Sequence, residues 1–552
     1  MKKRAIRIIA AVGGLVALLV LLGWASQLST DLVPRASDDW SRARVLGTTA
    51  VRRPPALNAA PGGGVFVLWA NVEGDLQLAR LDQAGNVVFN RTLPLSSGTA
   101  RDPQLVVDTE GTLHLLWRDE LGGAAAVRYV QLDSEGYTLS EPIELFRSSR
   151  WGIDAPGLAQ DSAGRVHAFW VSGEGIEHAV IGSAAEPSLL IPNGSLPSVQ
   201  PASDGKLYLA WRQRAGAGDD GIYYAAYDPA AGELGQARKL TTLFLRTGQH
   251  LEGLSVGLAG STSCVFWSIE DLRDVSTSST FTCFPAAHAE AAHPAPLDLY
   301  LGWNPGGIAT LAGPQERAQV ALSAATLATP RGMLLEGLFE RQSSIADAVS
   351  QVMVIELAGG QIDEQVVTAS RQAVVRPAIA AAADGSLHVA ALQVGGSDLY
   401  RVIYASNAPA VRRAYNAVTV FDVVDTLFNV LMQSALLVLT AIPMLLLWAS
   451  LPMLGLIIYH WFSGDEELDR MRSRVALSLA IGLEIALTLI FPLRVEMAWP
   501  PLVWVAPLVT AALAGILTWR ILRRRDQNLL FLSFLTFTGL YVVLLWLAYL
   551  VF

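Results

Sequence analysis

The sequence predicts an all-β propeller of seven four-stranded blades, followed by an α-helical transmembrane bundle. Three observations predict it. A strand–turn–strand unit recurs along residues 50–408, its copies are spaced as one blade each, and the chain after residue 418 is almost continuously apolar.

The unit is plainest in Asp102–Glu120, DPQLVVDTEGTLHLLWRDE. Leu105, Val106 and Val107 make a short apolar run. Asp108-Thr109-Glu110-Gly111 reads as a turn, with the glycine free to take a positive φ. Leu113, Leu115 and Trp117 then alternate with His114 and Leu116, the period-2 pattern of a strand. Copies end at Trp69, Trp170 and Trp211, and weaker ones at Trp267, Ser323 and Ala391. These anchors lie 41 to 68 residues apart, room for about four strands each. A second hairpin comes after Trp117, AVRYVQLDSEGYTLSEPIEL, with counterparts starting at Leu76 and Ile222.

The chain has 552 residues, 52% hydrophobic and 16% charged, but that average hides a turn-rich soluble part and a membrane part. A net charge of −9 argues against a nucleic-acid partner. No CxxC and no paired histidines are present, so neither a metal site nor another cofactor is expected. Cys264 and Cys283 fall in neighbouring predicted strands. The expectation is a disulfide formed in an oxidising compartment; the alternative is two unrelated buried thiols.

Taken in order, residues 1–26 carry a basic start and an apolar run, Ile8–Ala25. They are a membrane anchor or a signal peptide, and the chain beyond residue 26 is exported. Residues 37–408 are the propeller. A strand at Arg44–Leu46 is expected to pair into the last blade and close the ring, which removes free edges. Ser343–Gln351 reads as a short inserted helix, and LYRVIYAS, ending at Ser406, closes blade seven.

Asp133-Ser134-Glu135-Gly136-Tyr137-Thr138-Leu139 resembles, in degenerate form, the S-x-D-x-G-x-T-W turn of sialidase-like (BNR, Asp-box) propellers. The resemblance covers residues 50–408 as a repeat pattern, with Leu139 where the family has Trp. It implies a propeller and, as one activity, glycoside hydrolysis. Arg53-Pro54 bears a faint likeness to the family's Arg-Ile-Pro near the first blade. Arg118 and Arg212 each come directly after a repeat Trp, and with Arg53 they are the candidate ligand-binding residues. The sequence nominates no catalytic Tyr, Glu or Asp. Asp219-Asp220 reads as a cation chelator or a solvated loop, and the histidine position shared by His114, His167 and His388 reads as packing.

Residues 409–433 are read as a linker and an interfacial helix, and 434–552 as a four-helix transmembrane domain. The block Val418–Phe462 is 45 residues long, about 67 Å as one helix. Arg470, Arg472 and Arg474 come after it, and Arg520, Arg523, Arg524 and Arg525 lie further on. A single crossing within the block puts both clusters in the cytoplasm, as the positive-inside rule asks. The remaining spans are Val475–Leu493, Pro501–Leu522 and Leu529–Phe552. This gives a multi-pass protein of the cell membrane with a cytoplasmic N-terminus and with the propeller and the C-terminus outside. Asp422, Asp425, Asn429 and Gln433 form one polar stripe, the wet face of an interfacial helix or a docking seam. Glu484 lies at membrane depth, where a carboxylate costs about 3 kcal/mol. It reads as a relay, as a subunit contact, or as a carboxyl hydrogen-bonded to a neighbouring Ser or Thr.

Three functions are consistent with this. The first is a binding protein whose propeller faces a glycan, an envelope component or a protein partner. The second is a sialidase-like glycoside hydrolase. The third is an accessory subunit that meets another membrane protein through its C-terminal helices. In each, the lipid bilayer is a partner.

Overall fold

The computed structural model describes residues 37–148, 153–183, 186–214, 220–271, 276–296, 321–328, 333–342, 348–358, 361–370, 372–396, 399–418, 448–490, 502–525 and 529–551, with 420, 423, 424 and 427. The segment 1–26, Asp422, Asp425, Asn429 and Gln433 lie outside the described residues. The chain divides into a β unit that runs to Ala417 and a helical unit from Val418.

The β unit is built from tight antiparallel hairpins. One turn recurs at Asp82, Asp108, Asp133 and Asp161. Each aspartate's Oδ1 accepts from the amides two and four residues on. Gly85, Gly111, Gly136 and Gly164 close these turns at φ between 80° and 88°, where a Cβ would be strained. The hairpins assemble into seven sheets, six of four strands and one of five. The first strand of each sheet packs on the first strand of the next. The order is Ala56–Ala59, Thr99–Val107, Asp154–Gln160, Gly194–Pro201, Gln249–Ala259, Ala321–Ala328 and Val374–Ala381, which returns to Ala56–Ala59. That cyclic order makes the β unit propeller-like.

The repeat tryptophans are the mortar between sheets. Trp117 is buried with Phe66, Leu68 and Leu78 of the preceding sheet, Trp170 with Leu116 and Val127, and Trp211 with Phe169 and Ile176. Trp267 packs with Tyr208 and Ile222, and Trp69 with Leu392 and Tyr404 of the last sheet. Each ring removes a large apolar area from water, the dominant favourable term in folding.

The closing strand is Arg44–Thr49. It pairs antiparallel with Leu399–Ser406, Arg44 opposite Tyr404. The last sheet is therefore completed by the start of the β unit. Helix α1 (Pro409–Tyr415) comes at once after it and buries Val411 and Tyr415 in the cluster shared by the first and last sheets.

The sixth sheet corrects two expectations. Residues 348–351, expected to be helical, belong to the strand Ala348–Ala358, which pairs with Met333–Gln342 over its whole length. Val349, Val352, Val354 and Ile355 favour a strand, and the ladder overrides the weak helical tendency of the Ala-rich start. Residues 321–323 do not end a second strand; they begin the sheet's first, Ala321–Ala328. By its residues GPQER resembles the repeat turn, whereas the first two strands of this sheet pair further on, Ala328 opposite Met333.

The helical unit contains α2 (448–463), α3 (Met471–Ile490), α4 (Leu502–Arg525) and α5 (Leu530–Val551). Two stretches, Met471–Ile490 and Trp504–Arg523, are long and apolar enough to cross a membrane, and Leu530–Leu545 is a shorter apolar segment. Trp448, Ala514, Phe537 and Tyr541 form one core cluster, and Leu456, Ala480, Leu530 and Phe534 another. The Leu530 amide donates to the Glu466 carbonyl at 2.8 Å, and Glu467 pairs with Leu529. The α2–α3 and α4–α5 connections therefore meet at one end of this unit.

Candidate functional site

Two cavities occupy the same place in the repeat, where the second strand of a sheet ends beside the start of the next sheet's first strand. Arg118 marks one and Arg212 the other, each directly after its repeat Trp.

The first cavity, about 280 Å³, is lined by Arg53, Arg101, Arg118, Glu120, Ala125 and Ile153. Arg101, in its lining, stands at the start of a β-bulge that runs to Gln104. Within the bulge Asp102 takes φ 48°, a left-handed conformation uncommon for a residue with a Cβ. The bulge brings its carboxylate 3.0 Å from Arg53 Nε and 3.4 Å from Arg118 Nη2. Arg118 Nη2 also lies 2.9 Å from Glu120, and its Nη1 donates to the Ile153 carbonyl at 2.6 Å. Asp154 of the third sheet stands 3.4 Å from Arg118 and 3.9 Å from Arg53, and Arg101 pairs with Glu120 at 3.3 Å.

Every guanidinium here has a carboxylate, so the cluster ties the connection before the first sheet to the second and third sheets and leaves little positive charge unmatched. Asp102 is only 9% exposed. Burial pushes its carboxyl above the ordinary carboxylate range, although Arg53 and Arg118 pull the other way.

The second cavity, about 750 Å³, is lined by Arg212, Arg214, Asp220 and the connection from Leu243 to His250. Arg212 holds Asp220 with two bonds, Nε to Oδ1 at 2.9 Å and Nη2 to Oδ2 at 2.5 Å. That grip keeps the Asp220 carboxyl below the usual range. Arg214 reaches only to 3.7 Å from the same carboxylate. Phe244 stands 83% exposed in the connection.

The structure thus brings Arg53 and Arg118 together and places Arg212 in a separate cavity. The partners Asp102, Glu120 and Asp154 are not evident from sequence. One signal does mark the bulge: the proline that opens several repeat copies. Asp102, Leu196 and Arg376 each precede such a proline and each take φ near 50°. The same register shift recurs in a fourth repeat, between Asp154 and Gly157, so the bulge is an architectural device as well as the one that aims Asp102.

The histidine position belongs to neither cavity. His114 bonds Tyr129 at 2.6 Å, His388 bonds Tyr404 at 2.8 Å, and His167 bonds both His178, at 3.0 Å, and Asp161, at 3.2 Å. Burial depresses His178 and His388 to about 4 each. These are buried braces between the second and third strands. Cys264 fills the same repeat position in the fifth sheet and is disulfide-bonded to Cys283, its direct cross-strand partner. In the chain-entropy model a loop of that size is worth about 3 kcal/mol.

Glu484 lies in the helical unit, fully buried. Its Oε2 accepts from Thr538 Oγ1 at 2.8 Å, and its Oε1 has no partner among the described residues.

The sequence matches no protein-family model. It matches no curated protein significantly. Its fold is similar to a polysaccharide lyase of family PL25, an ulvan lyase bound to -[GlcA(1-4)Rha3S]-, at TM-score 0.41 and 12% identity, covering 65% of this chain and 94% of that one. It is also similar to the WD40 domain of Toxoplasma gondii coronin, at TM-score 0.40 and 12% identity, covering 68% and 88%. A thermostable family-43 glycoside hydrolase matches at TM-score 0.31 and 11% identity, covering 58% and 93%. At this level of similarity no activity transfers to the chain.

Proposed function

We propose that this chain is a seven-bladed β-propeller, held on the outer side of a cell membrane, that works by binding a glycan. The observation that carries the reading is the cavity beside Arg212. It is concave and open, lined by both charged and apolar side chains, its Arg212–Asp220 wall is held by two hydrogen bonds, and it sits on a scaffold of packed sheets. Pre-organised polar groups on rigid strands suit recognition without chemistry.

The membrane part of the proposal has four C-terminal spans and an N-terminal anchor or signal. The connection flanked by Arg470, Arg472 and Arg474 and the one that comes after Arg520, Arg523, Arg524 and Arg525 meet where the Leu530 amide bonds Glu466. The positive-inside rule assigns that end to the cytoplasm, which leaves the propeller and the C-terminus outside.

A thermal-shift screen of the full chain in lipid nanodiscs against a glycan panel tests the binding reading. A ligand at 100 times its Kd stabilises the fold by about 2.7 kcal/mol. A well-folded protein that shifts with no glycan class would sink it.

A second reading, a sialidase-like hydrolase, draws on Asp102. A buried carboxyl pushed upward beside a second carboxylate, Glu120, has the makings of an acid and its partner. Turnover of an aryl glycoside, lost in Asp102→Asn, supports it; its absence with binding intact leaves the first reading alone.

A further inference from the structure

We infer that the cavity between the fourth and fifth sheets is a site for an acidic saccharide, with Phe244 as the stacking platform and Arg214 and Arg246 as the anion-binding forks. This rests on the glycan-binding reading and names the ligand class.

Charge matching decides which groups are available. Asp220, the one carboxylate in the lining among the described residues, is committed to Arg212. Arg214 is 70% exposed and sits at the edge of ion-pair range from that carboxylate, at 3.7 Å. The Arg246 guanidinium has no hydrogen bond or ion pair among the described residues, while its backbone amide is fastened to Gln249 Oε1 at 3.0 Å. Gln249 is held in turn, through Nε2, by Asp271 at 2.9 Å. His250 is paired to Glu270 at 3.0 Å. The loop is therefore pinned at its base, and among the described residues two guanidiniums line the cavity in surplus over its one carboxylate.

Geometry selects the ligand. The volume, about 750 Å³, lies within the usual range for small-ligand pockets, about 300–1,000 Å³. Phe244 presents its ring to solvent beside the two guanidiniums. A pyranose offers one flat C–H face to such a ring. As a uronate or a sulfate ester it also carries an anion that a guanidinium fork binds in two-point fashion. An acidic peptide satisfies the arginines but leaves the ring without a flat partner; a neutral sugar does the reverse.

Calorimetry on the full chain in nanodiscs tests this. The probes are tetragalacturonate, a sulfated tetrasaccharide, neutral maltotetraose and hexaglutamate, each against wild type, Phe244→Ala and Arg246→Gln. Both changes are at a surface connection, and unchanged unfolding temperatures confirm that the fold is kept. The expected result is binding of at least one acidic saccharide, weakened tenfold or more by each change, with salt sensitivity reduced in Arg246→Gln. Acidic saccharides that bind no better than maltotetraose, or equally to all three proteins, overturn the inference and leave glycan binding standing. No saccharide binding at all removes both. Hexaglutamate binding with the same dependence on both residues overturns the saccharide assignment and gives the site to a protein partner.

Discussion

Asn416 accepts a hydrogen bond from the Arg42 amide at 2.8 Å, across 374 residues of chain. Its Nδ2 donates to the Trp40 carbonyl at 3.1 Å, and Arg412 donates to the Asp38 carbonyl at 2.8 Å. The Tyr415 hydroxyl also bonds the Gly85 carbonyl of the first sheet. The two ends of the β unit are therefore clasped to each other at the seam of the ring, beside the closing strand.

That clasp makes α1 part of the fold. A fragment ending at residue 408 should be less stable than one ending at 417, because it loses the buried Val411 and Tyr415 and unpairs the Arg42 amide. The expected loss is about 3–5 kcal/mol, set by one large buried aromatic ring and its neighbours. Urea midpoints of the two fragments measure it; equal midpoints would mean that the seam holds without the helix.

Gly47 is the tightest point of the closing strand. A Cβ there would lie 2.6 Å from Trp69 Cζ2, and that ring is packed among Leu392, Val402 and Tyr404. Gly47→Ala should destabilise by about 1–3 kcal/mol through overpacking. Gly122, whose Cβ would meet nothing within 4 Å, is the comparison site, although its φ of 61° adds strain of its own. Chemical denaturation of Gly47→Ala decides; an unchanged midpoint would show that the strand can move away from the ring.

The buried histidines make stability fall with acid. The folded state holds His178 neutral, with its titration depressed to about 4 by burial and by His167, while the unfolded chain takes up a proton near pH 6.5. Its contribution is full above about pH 6.5 and is lost as pH falls toward about 4. Between those limits each such histidine steepens the loss by about 1.4 kcal/mol per pH unit. His178→Phe should flatten the slope measured by urea unfolding between neutral pH and pH 5, and an identical slope would show that His178 titrates normally.

Glu484→Gln tests the helical unit. Glutamine keeps an acceptor for Thr538 and supplies a donor on the side where Oε1 has no partner among the described residues. Unchanged thermal stability and unchanged size in nanodiscs are expected if Thr538 is the group's whole business. Loss of a higher-order species on size exclusion would assign Glu484 to a subunit contact.

Much of the β unit was legible because its contacts are local. An Asp-x-x-Gly turn joins strands that pair within about ten residues, so alternation and turn chemistry report the same hairpin. In the sixth sheet that agreement fails: two glycine-proline punctuations compete in the sequence, and only the pairing of Ala321–Ala328 with Met333–Gln342 sets the order of the strands. The likeness of Cys264 to the histidine position was also in the sequence, at the same offset before Trp267 as His114 is before Trp117.

The site was less legible for a physical reason. Arg53 comes from the connection before the first sheet, Asp102 and Glu120 from the second sheet and Asp154 from the third, and no local period links them. The sequence by itself determined the hairpins, the closing strand, the apolar helices and the cysteine pair, because hydrophobic period and turn residues act over a few positions. Only the tertiary structure decided which arginines are neutralised, that Arg212 stands apart from Arg118, and that α1 locks the seam. Those outcomes depend on distances between sheets, which arise when the packed tryptophans set the sheets against one another.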